Sequence, residues 1–255
     1  MVSAITFDAI SRRSLKLEAR LEFLRLLRTP SFALPVLAFP VMFYLLFGVL
    51  LAKPGSALQI AHYLMATYCV FGVMAPGLFG FGAAVAIERD KGLLALRRAL
   101  PAPPLNYVGA KLAMAMMFAF VIFALLSLAG ALFGGVRLGL AQWGLLGVTM
   151  ILGVLPFCAL GLLVGSFANG QAAPAIINLI YLPMGLLSGL WFPLTLLPVM
   201  FQKLAVVWPA WHLAQLALAS IGQPSSGSAL VHLAYLAGIT VVVGSWAARR
   251  LNRES

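Results

Sequence analysis

IERDKGLLALRRALPAPPLNY, residues 87–107, is the charge-dense stretch between long apolar runs, and its reading decides what the chain is. Six charged side chains precede its first proline: Glu88, Arg89, Asp90, Lys91, Arg97 and Arg98. Leu93, Leu96 and Leu100 fall at i, i+3 and i+7, so they share one face of a short helix. Pro101, Pro103 and Pro104 end that helix, because proline has no N–H to donate and restricts the residue before it. A short amphipathic helix between two membrane-crossing runs can lie along the membrane surface. It can also be gripped by a soluble partner, and that second role is the one expected here.

Outward from this stretch, the composition sets the solvent. Of the 255 residues 63% are hydrophobic and 9% are charged. A soluble core does not absorb that much apolar surface, so an integral membrane protein is expected. The apolar runs are continuous, whereas a membrane barrel would alternate in segments of about ten residues. The predicted fold is therefore all-α. The net charge of +11 is read as attraction to anionic headgroups and as a topology signal, with no nucleic acid partner. Cys69 and Cys158 sit inside apolar runs and read as packing residues. The first apolar run begins after a long charged segment, so no cleavable leader is expected.

In chain order, residues 1–29 alternate Arg12, Arg13, Lys16, Arg20, Arg25 and Arg28 with Leu15, Leu17, Leu21, Leu24 and Leu27. That pattern predicts an amphipathic helix in the cytoplasmic headgroup region, although such a helix can also serve orientation alone. Six spans follow, at residues 32–52, 59–87, 108–133, 143–165, 172–190 and 229–247. Pro35, Pro40 and Pro76 should kink the first two. Residues 191–223 are apolar but cut by Pro193, Pro198 and Pro209, and they carry Trp191, Trp208 and Trp211. Short re-entrant helices dipping into the outer leaflet are expected there. Fourteen of the seventeen Lys and Arg residues lie in the first segment, the 88–111 region and the tail. The positive-inside rule then places both termini and residues 88–104 in the cytoplasm.

Several chemistries are missing. None of the six Asp and Glu residues falls inside a predicted span, which argues against a carrier driven by protons or sodium. His62, His212 and His232 read as isolated, without metal-ligand spacing. Ser188-Gly189 lacks both a G-x-S-x-G frame and a paired base. There is no G-x-x-x-x-G-K-[ST] loop. The expectation is a non-enzymatic chain with no cofactor or metal, whose energy arrives from a partner.

Three stretches resemble the ABC-2 type permease family, the membrane subunits of ATP-binding-cassette exporters. AIERDKGLLALRRALPAPPLNYVGAKL (86–112) is similar to the family's Glu-Arg, Gly, leucine-rich helix, proline turn and Lys entering the third span. LGLLVGSFANGQAAPAIINLIYLPMGLLSGLWFP (160–193) resembles its small-residue turn and a span closing in S-G-x-x-F-P. WPAWHLAQ (208–215) sits where the family has a proline segment before its last span. One departure is that Leu93 and Leu94 stand where many members have Thr and Glu.

The resemblance implies a single permease domain over residues 1–255 in a bacterial inner membrane. It implies a homo- or heterodimer with a second permease subunit, and a separate nucleotide-binding ATPase subunit. Residues 88–104 would be the coupling helix, with Glu88, Arg89, Gly92, Leu93, Leu96, Arg97, Arg98 and Leu100 at the ATPase. Asn169, in the 166–171 turn, would give a second contact. Glu88 and Arg89 can instead pair with each other at the membrane edge. The cargo would be amphipathic or lipid-linked, a drug-like molecule, lipid or glycan-lipid, since the spans offer no charge to a polar solute. A non-transporting sensor or scaffold tied to an ATPase, and an intramembrane enzyme, are the other classes open to such a chain.

Overall fold

In lipid a backbone must satisfy its own N–H and C=O groups, which makes helices of long apolar runs. The computed structural model describes residues 2–52, 55–98 and 104–253, and among these it is helical throughout, without strands. Helix α1 (Val2–Leu27) leads into α2 (Pro30–Phe43), which runs on as a π-helical stretch, Tyr44–Leu50. Helix α3 (Ala57–Ala75) continues through a second π-helical stretch, Pro76–Ala83, into α4 (Ala84–Asp90). The short α5 (Leu93–Arg98) follows, then α6 (Pro104–Leu132), α7 (Leu140–Gly153), α8 (Leu155–Phe167) and α9 (Ala173–Leu187). Residues 191–223 form a 3₁₀ turn (Leu194–Leu196), α10 (Val199–Leu204), a second 3₁₀ turn (Ala205–Val207) and α11 (Pro209–Ser220). The last element is α12 (Ala229–Arg253).

Among the described residues, five helical stretches are long and apolar enough to cross a membrane: Pro30–Leu50, Ala57–Asp90, Asn106–Leu132, Leu140–Phe167 and Ala229–Leu251. The chain is thus a multi-pass membrane protein. The stretch expected as a fifth span over residues 172–190 is shorter, since α9 has 15 residues. That is about 22 Å of helix against a hydrocarbon core of about 30 Å. It stops early because Gly189 turns the chain at φ +73°. The prolines are accommodated within helices: Pro35 and Pro40 lie inside α2, and Pro76 opens the π-helical stretch, whose wider turn tolerates the missing N–H.

The stretch from α3 to α4 is the centre of the bundle. Of its most apolar window 83% is buried, against 28% for Pro30–Leu50 and 11% for Ala229–Leu251. Phe71 of α3 stacks on Tyr181 of α9 at 4.8 Å, and the Tyr181 hydroxyl donates to the Phe71 carbonyl at 3.2 Å. Tyr63 donates to the Gly189 carbonyl at 2.7 Å, so α3 also holds the turn that ends α9. Helix α1 packs along α6, with Ala19 and Glu22 inward and Leu17 and Leu21 exposed. The expected leucine face is not kept as one surface: Leu17, Leu21 and Leu27 are exposed, whereas Leu15 and Leu24 are half-buried.

Helix α8 meets the second π-helical stretch backbone to backbone. A Cβ built on Gly161 would lie 2.5 Å from the Gly77 carbonyl oxygen, and one on Gly82 would lie 2.5 Å from the Gly161 Cα. Only glycine permits that approach. Gly161→Val should therefore cost about 3 kcal/mol or more, the upper range for overpacking, because backbone cannot yield as a side chain does. Thermal unfolding of the purified protein checks this. Gly144→Ala, where nothing lies within 4 Å of the added Cβ, should leave the transition in place.

Candidate functional site

The continuous helix from α3 through α4 delivers three charged residues in a row, Glu88, Arg89 and Asp90, to one end of the bundle. Their directions differ by about 100° each, so each meets a different neighbour. Glu88 faces inward and is buried. Its Oε1 accepts from Lys111 Nζ at 3.0 Å and from both terminal nitrogens of Arg25 at 3.2 Å. Its Oε2 accepts from the Tyr107 hydroxyl at 2.6 Å. Tyr107 and Lys111 are one helical turn apart on α6, so both reach the same carboxylate.

Lys111 has 0% side-chain exposure and a second carboxylate, Glu22, at 3.7 Å. Glu22 in turn pairs with Arg25 at 2.7 Å. Two carboxylates and two cations make the cluster formally neutral. Burying ions is costly, and their attraction offsets the cost only when hydrogen bonds fill the remaining valences, as the Tyr107 hydroxyl does here. The cluster joins α1, α4 and α6 at one point.

Arg89 points the other way, to the end of α8. Its Nη1 donates to the Gly165 and Ser166 carbonyls at 3.2 and 2.7 Å, and its Nη2 donates to Ala168 at 2.8 Å. Carbonyls at a helix C-terminus have no intrahelical partner and carry partial negative charge, so a guanidinium suits them. Arg250, near the end of α12, donates to the same Ser166 carbonyl at 3.4 Å and lies 3.6 Å over the Phe167 ring. Asp90 accepts from the Gly170 amide at 2.6 Å. Asn169 accepts from the Ala172 amide at 2.7 Å and closes the turn that precedes α9. The 166–171 turn is thus locked onto α4.

Beyond this anchor the chain changes character. Gly92 takes φ +71°, a left-handed turn that favours glycine, and its amide donates to the Arg89 carbonyl at 2.9 Å. Helix α5 starts at once. Leu94 is buried, whereas Leu93 is 41% and Leu96 is 63% exposed. The backbone of Arg97 and Arg98 is helical, but their side chains, like all of Leu100, lie outside the described residues.

Of the candidate residues, then, Glu88, Arg89 and Asn169 are engaged with the protein's own groups, and Leu93 and Leu96 are presented outward. Glu88 and Arg89 do not pair with each other as one reading had it: their partners are on α1, α6 and α8. Sequence reasoning missed Glu22, Arg25, Tyr107 and Lys111 as members of the cluster. The available signal was a lysine near the start of an apolar run, which calls for a partner. The reading of the histidines as isolated is also corrected. His212 and His232 touch through their Nδ1 atoms at 2.9 Å, brought together by the loop between α11 and α12. Among the described residues no group of three or more His, Cys, Asp or Glu side chains could hold a metal.

Comparison with known proteins agrees with this architecture. The family described as ABC-2 type transporter matches residues 13–221, a range that includes the charged cluster, α5 and the 166–171 turn. A protein of Bacillus subtilis (strain 168) named "Putative transport permease YvfS" is 30% identical over 219 residues, covering 84% of this chain and 89% of that protein.

The cluster makes a stability prediction. Glu88→Gln leaves Lys111 with only the more distant Glu22 and should destabilise by about 3–5 kcal/mol, the range for breaking a buried pair. Lys111→Met should cost less, because Glu88 keeps Arg25 and Tyr107. The double variant Glu88→Gln/Lys111→Met should cost less than the sum of the two, since the sites share one interaction. Thermal unfolding of the four proteins in one detergent checks the order.

Proposed function

The chain belongs to the ABC-2 type transporter family, and from that premise we propose that it is the permease subunit of an ATP-driven exporter. A separate nucleotide-binding subunit supplies the energy, and a second permease subunit completes the transmembrane unit. In this reading α9 counts as a sixth crossing, both termini and α5 face the cytoplasm of a bacterial inner membrane, and residues 191–223 dip into the outer leaflet.

The observation that carries the reading is the contrast between α5 and its base. Leu96 is 63% exposed at the end of the bundle, an unfavourable place for a leucine in water unless a partner covers it. Just before it in the chain, Glu88, Arg89 and Asp90 tie α4 to α1, α6, the end of α8 and the 166–171 turn. A handle with an apolar surface and a rigid root suits force transmission. When the ATPase closes, it displaces α5 as a rigid body, and the displacement passes to three helices at once. Leu93 and Leu96 fill an apolar cleft of the ATPase, while Arg97 and Arg98 orient the docking electrostatically.

The cargo is amphipathic or lipid-linked: a drug-like molecule, a lipid or a glycan-lipid. Among the described residues, the acidic side chains in the crossing stretches are Glu88 and Asp90, at the last turn of Ala57–Asp90, and both are engaged by the protein's own groups rather than open to a polar cation. The 17 Phe and 10 Met residues suit a greasy, adaptable path.

Leu96→Asp tests the coupling role. The variant should insert into the membrane at wild-type level, because the side chain is exposed, yet transport by the complex in liposomes should fall at least tenfold. ATP hydrolysis should persist uncoupled, or the ATPase should fail to co-purify. Wild-type co-purification together with wild-type transport would sink the assignment.

A further inference from the structure

His212 and His232 pose a proton-counting problem at the other end of the molecule. Arg250, near the C-terminal end of α12, lies at the charged anchor. His232 is eighteen residues earlier on the same helix, about 27 Å away at 1.5 Å per residue. Both histidines are buried. The His212 Nε2 lies 2.9 Å from the Val206 carbonyl oxygen, and the His232 Nε2 lies 2.7 Å from the Ser226 carbonyl oxygen. A carbonyl only accepts, so each Nε2 must carry the hydrogen. A neutral imidazole has one N–H. In two neutral rings both Nδ1 atoms would then be bare lone pairs, facing each other at 2.9 Å. That contact repels unless a hydrogen sits in it.

We propose that His212 and His232 together bind one additional proton, shared as an Nδ1–H···Nδ1 bond, and that this proton clasps the outer corner of the bundle shut. The bound state has three N–H hydrogens on four ring nitrogens, all three in hydrogen bonds, and one positive charge over the pair.

The surroundings favour that charge without a carboxylate. The Tyr235 ring stacks on His212 at 3.8 Å and 17°, an arrangement that stabilises a cationic ring. Trp211 packs edge-on against both histidines at 4.9 and 5.3 Å. The two carbonyls accept more strongly from a charged ring. The Ser226 carbonyl is held in place by its own amide, which donates to Gln215 Oε1 at 2.7 Å, and by Gly227 at φ +84°.

The other ionisable side chains carried to this end are few. Helix α3 brings His62 and Tyr63, which bond the Leu58 and Gly189 carbonyls. Arg137 precedes α7, which has no titratable residue, and Lys203 is on α10. None of these acts on His212, whose surroundings are its burial, the Val206 carbonyl and His232. Burial, the largest effect, and the neighbouring His232 pull His212 below its ordinary value, and the Val206 carbonyl pushes it back up; the hydrogen shared between two otherwise bare nitrogens works against that downward pull.

The clasp joins the 205–207 turn, α11, the 221–228 loop and the start of α12. Tyr235 adds a bond from its hydroxyl to the Val207 carbonyl at 2.6 Å. Losing the proton sets the two Nδ1 atoms in repulsion and loosens all four segments. The pair is a binding site for a proton, and through it the corner becomes sensitive to pH. The inference does not depend on the coupling role of α5.

Nitrogen NMR of the full chain in lipid nanodiscs, with ¹⁵N-labelled histidine, tests it between pH 5 and 9. At pH 7 the two rings should carry one Nδ1 hydrogen between them, with scalar coupling across the N–H···N bond. As pH rises, both rings should change together as that single proton leaves. Independent titration of His212 and His232, or two bare Nδ1 atoms at pH 6, overturns the proposal.

Stability gives a second readout. A proton held more firmly folded than unfolded stabilises fully below about pH 6.5, the ordinary histidine value, and is lost as pH rises through the folded-state value. The melting temperature should therefore fall from pH 6.5 to 9 in the wild type and in His62→Gln, and the fall should be at least halved in His232→Gln. Equal falls in all three overturn it. If His232→Gln does not fold, the wild-type NMR titration alone decides.

Discussion

A lysine with no exposed surface must find a carboxylate, and much of the molecule's organisation at one end follows from that requirement. Lys111 enters α6 at a depth where water cannot reach its ammonium group. Glu88 meets it, and to do so the end of α4 must sit against α6. Arg25 and Tyr107 then complete the carboxylate's hydrogen bonds, and α1 is drawn along α6. Because Glu88 points inward, its neighbour Arg89 necessarily points toward α8, where orphan carbonyls await a cation. One buried ion pair thus sets the rotation of a helix, and that rotation distributes its neighbours to their own partners.

The middle of the bundle is held by a different means. Lipid offers no hydrophobic drive for apolar helices to associate, so close contact and dispersion must suffice. Glycines at 77, 82 and 161 bring α8 within backbone distance of the π-helical stretch. Aromatic stacking between Phe71 and Tyr181 does the same for α9. The outer helices Pro30–Leu50 and Ala229–Leu251 remain mostly exposed, which suits surfaces that meet lipid or another subunit. Polar anchoring at one end, close packing in the middle and a histidine pair at the far end divide the work along the membrane normal.

What the sequence revealed follows the same division. Long apolar runs identify crossing helices without any knowledge of partners, because hydropathy is a local property, and five of the six expected runs have crossing length. The outward leucines of α5 were legible too, since spacing of three residues puts Leu93 and Leu96 on one face. The cluster was not. Arg25 lies 63 residues from Glu88 and Lys111 lies 23, so no periodicity links them, and Glu88 read as a surface charge beside other charges. His212 and His232 are 20 residues apart, separated by the 221–228 loop whose path no local pattern dictates. The early end of α9 turned on Gly189 adopting a positive φ, which a glycine permits but does not announce. In each case the missed feature is a meeting of distant groups, and the found feature is a property of one segment.

The π-helical stretch at Pro76–Ala83 carries an implication for how such a chain can vary. A π turn accommodates an extra residue within an otherwise α-helical register. Everything downstream is phased by it. Removing one residue from the α-helical turns after it would turn the remaining helix by about 100°, and the carboxylate of Glu88 would swing off the ammonium it neutralises. The helix would still cross the bilayer with its hydropathy untouched, yet its last turn would be addressed to the wrong neighbours. Length in this crossing is therefore a form of angular information, and within residues 76–83 it is joined by a steric one, since Gly77 and Gly82 leave no room for a side chain against α8.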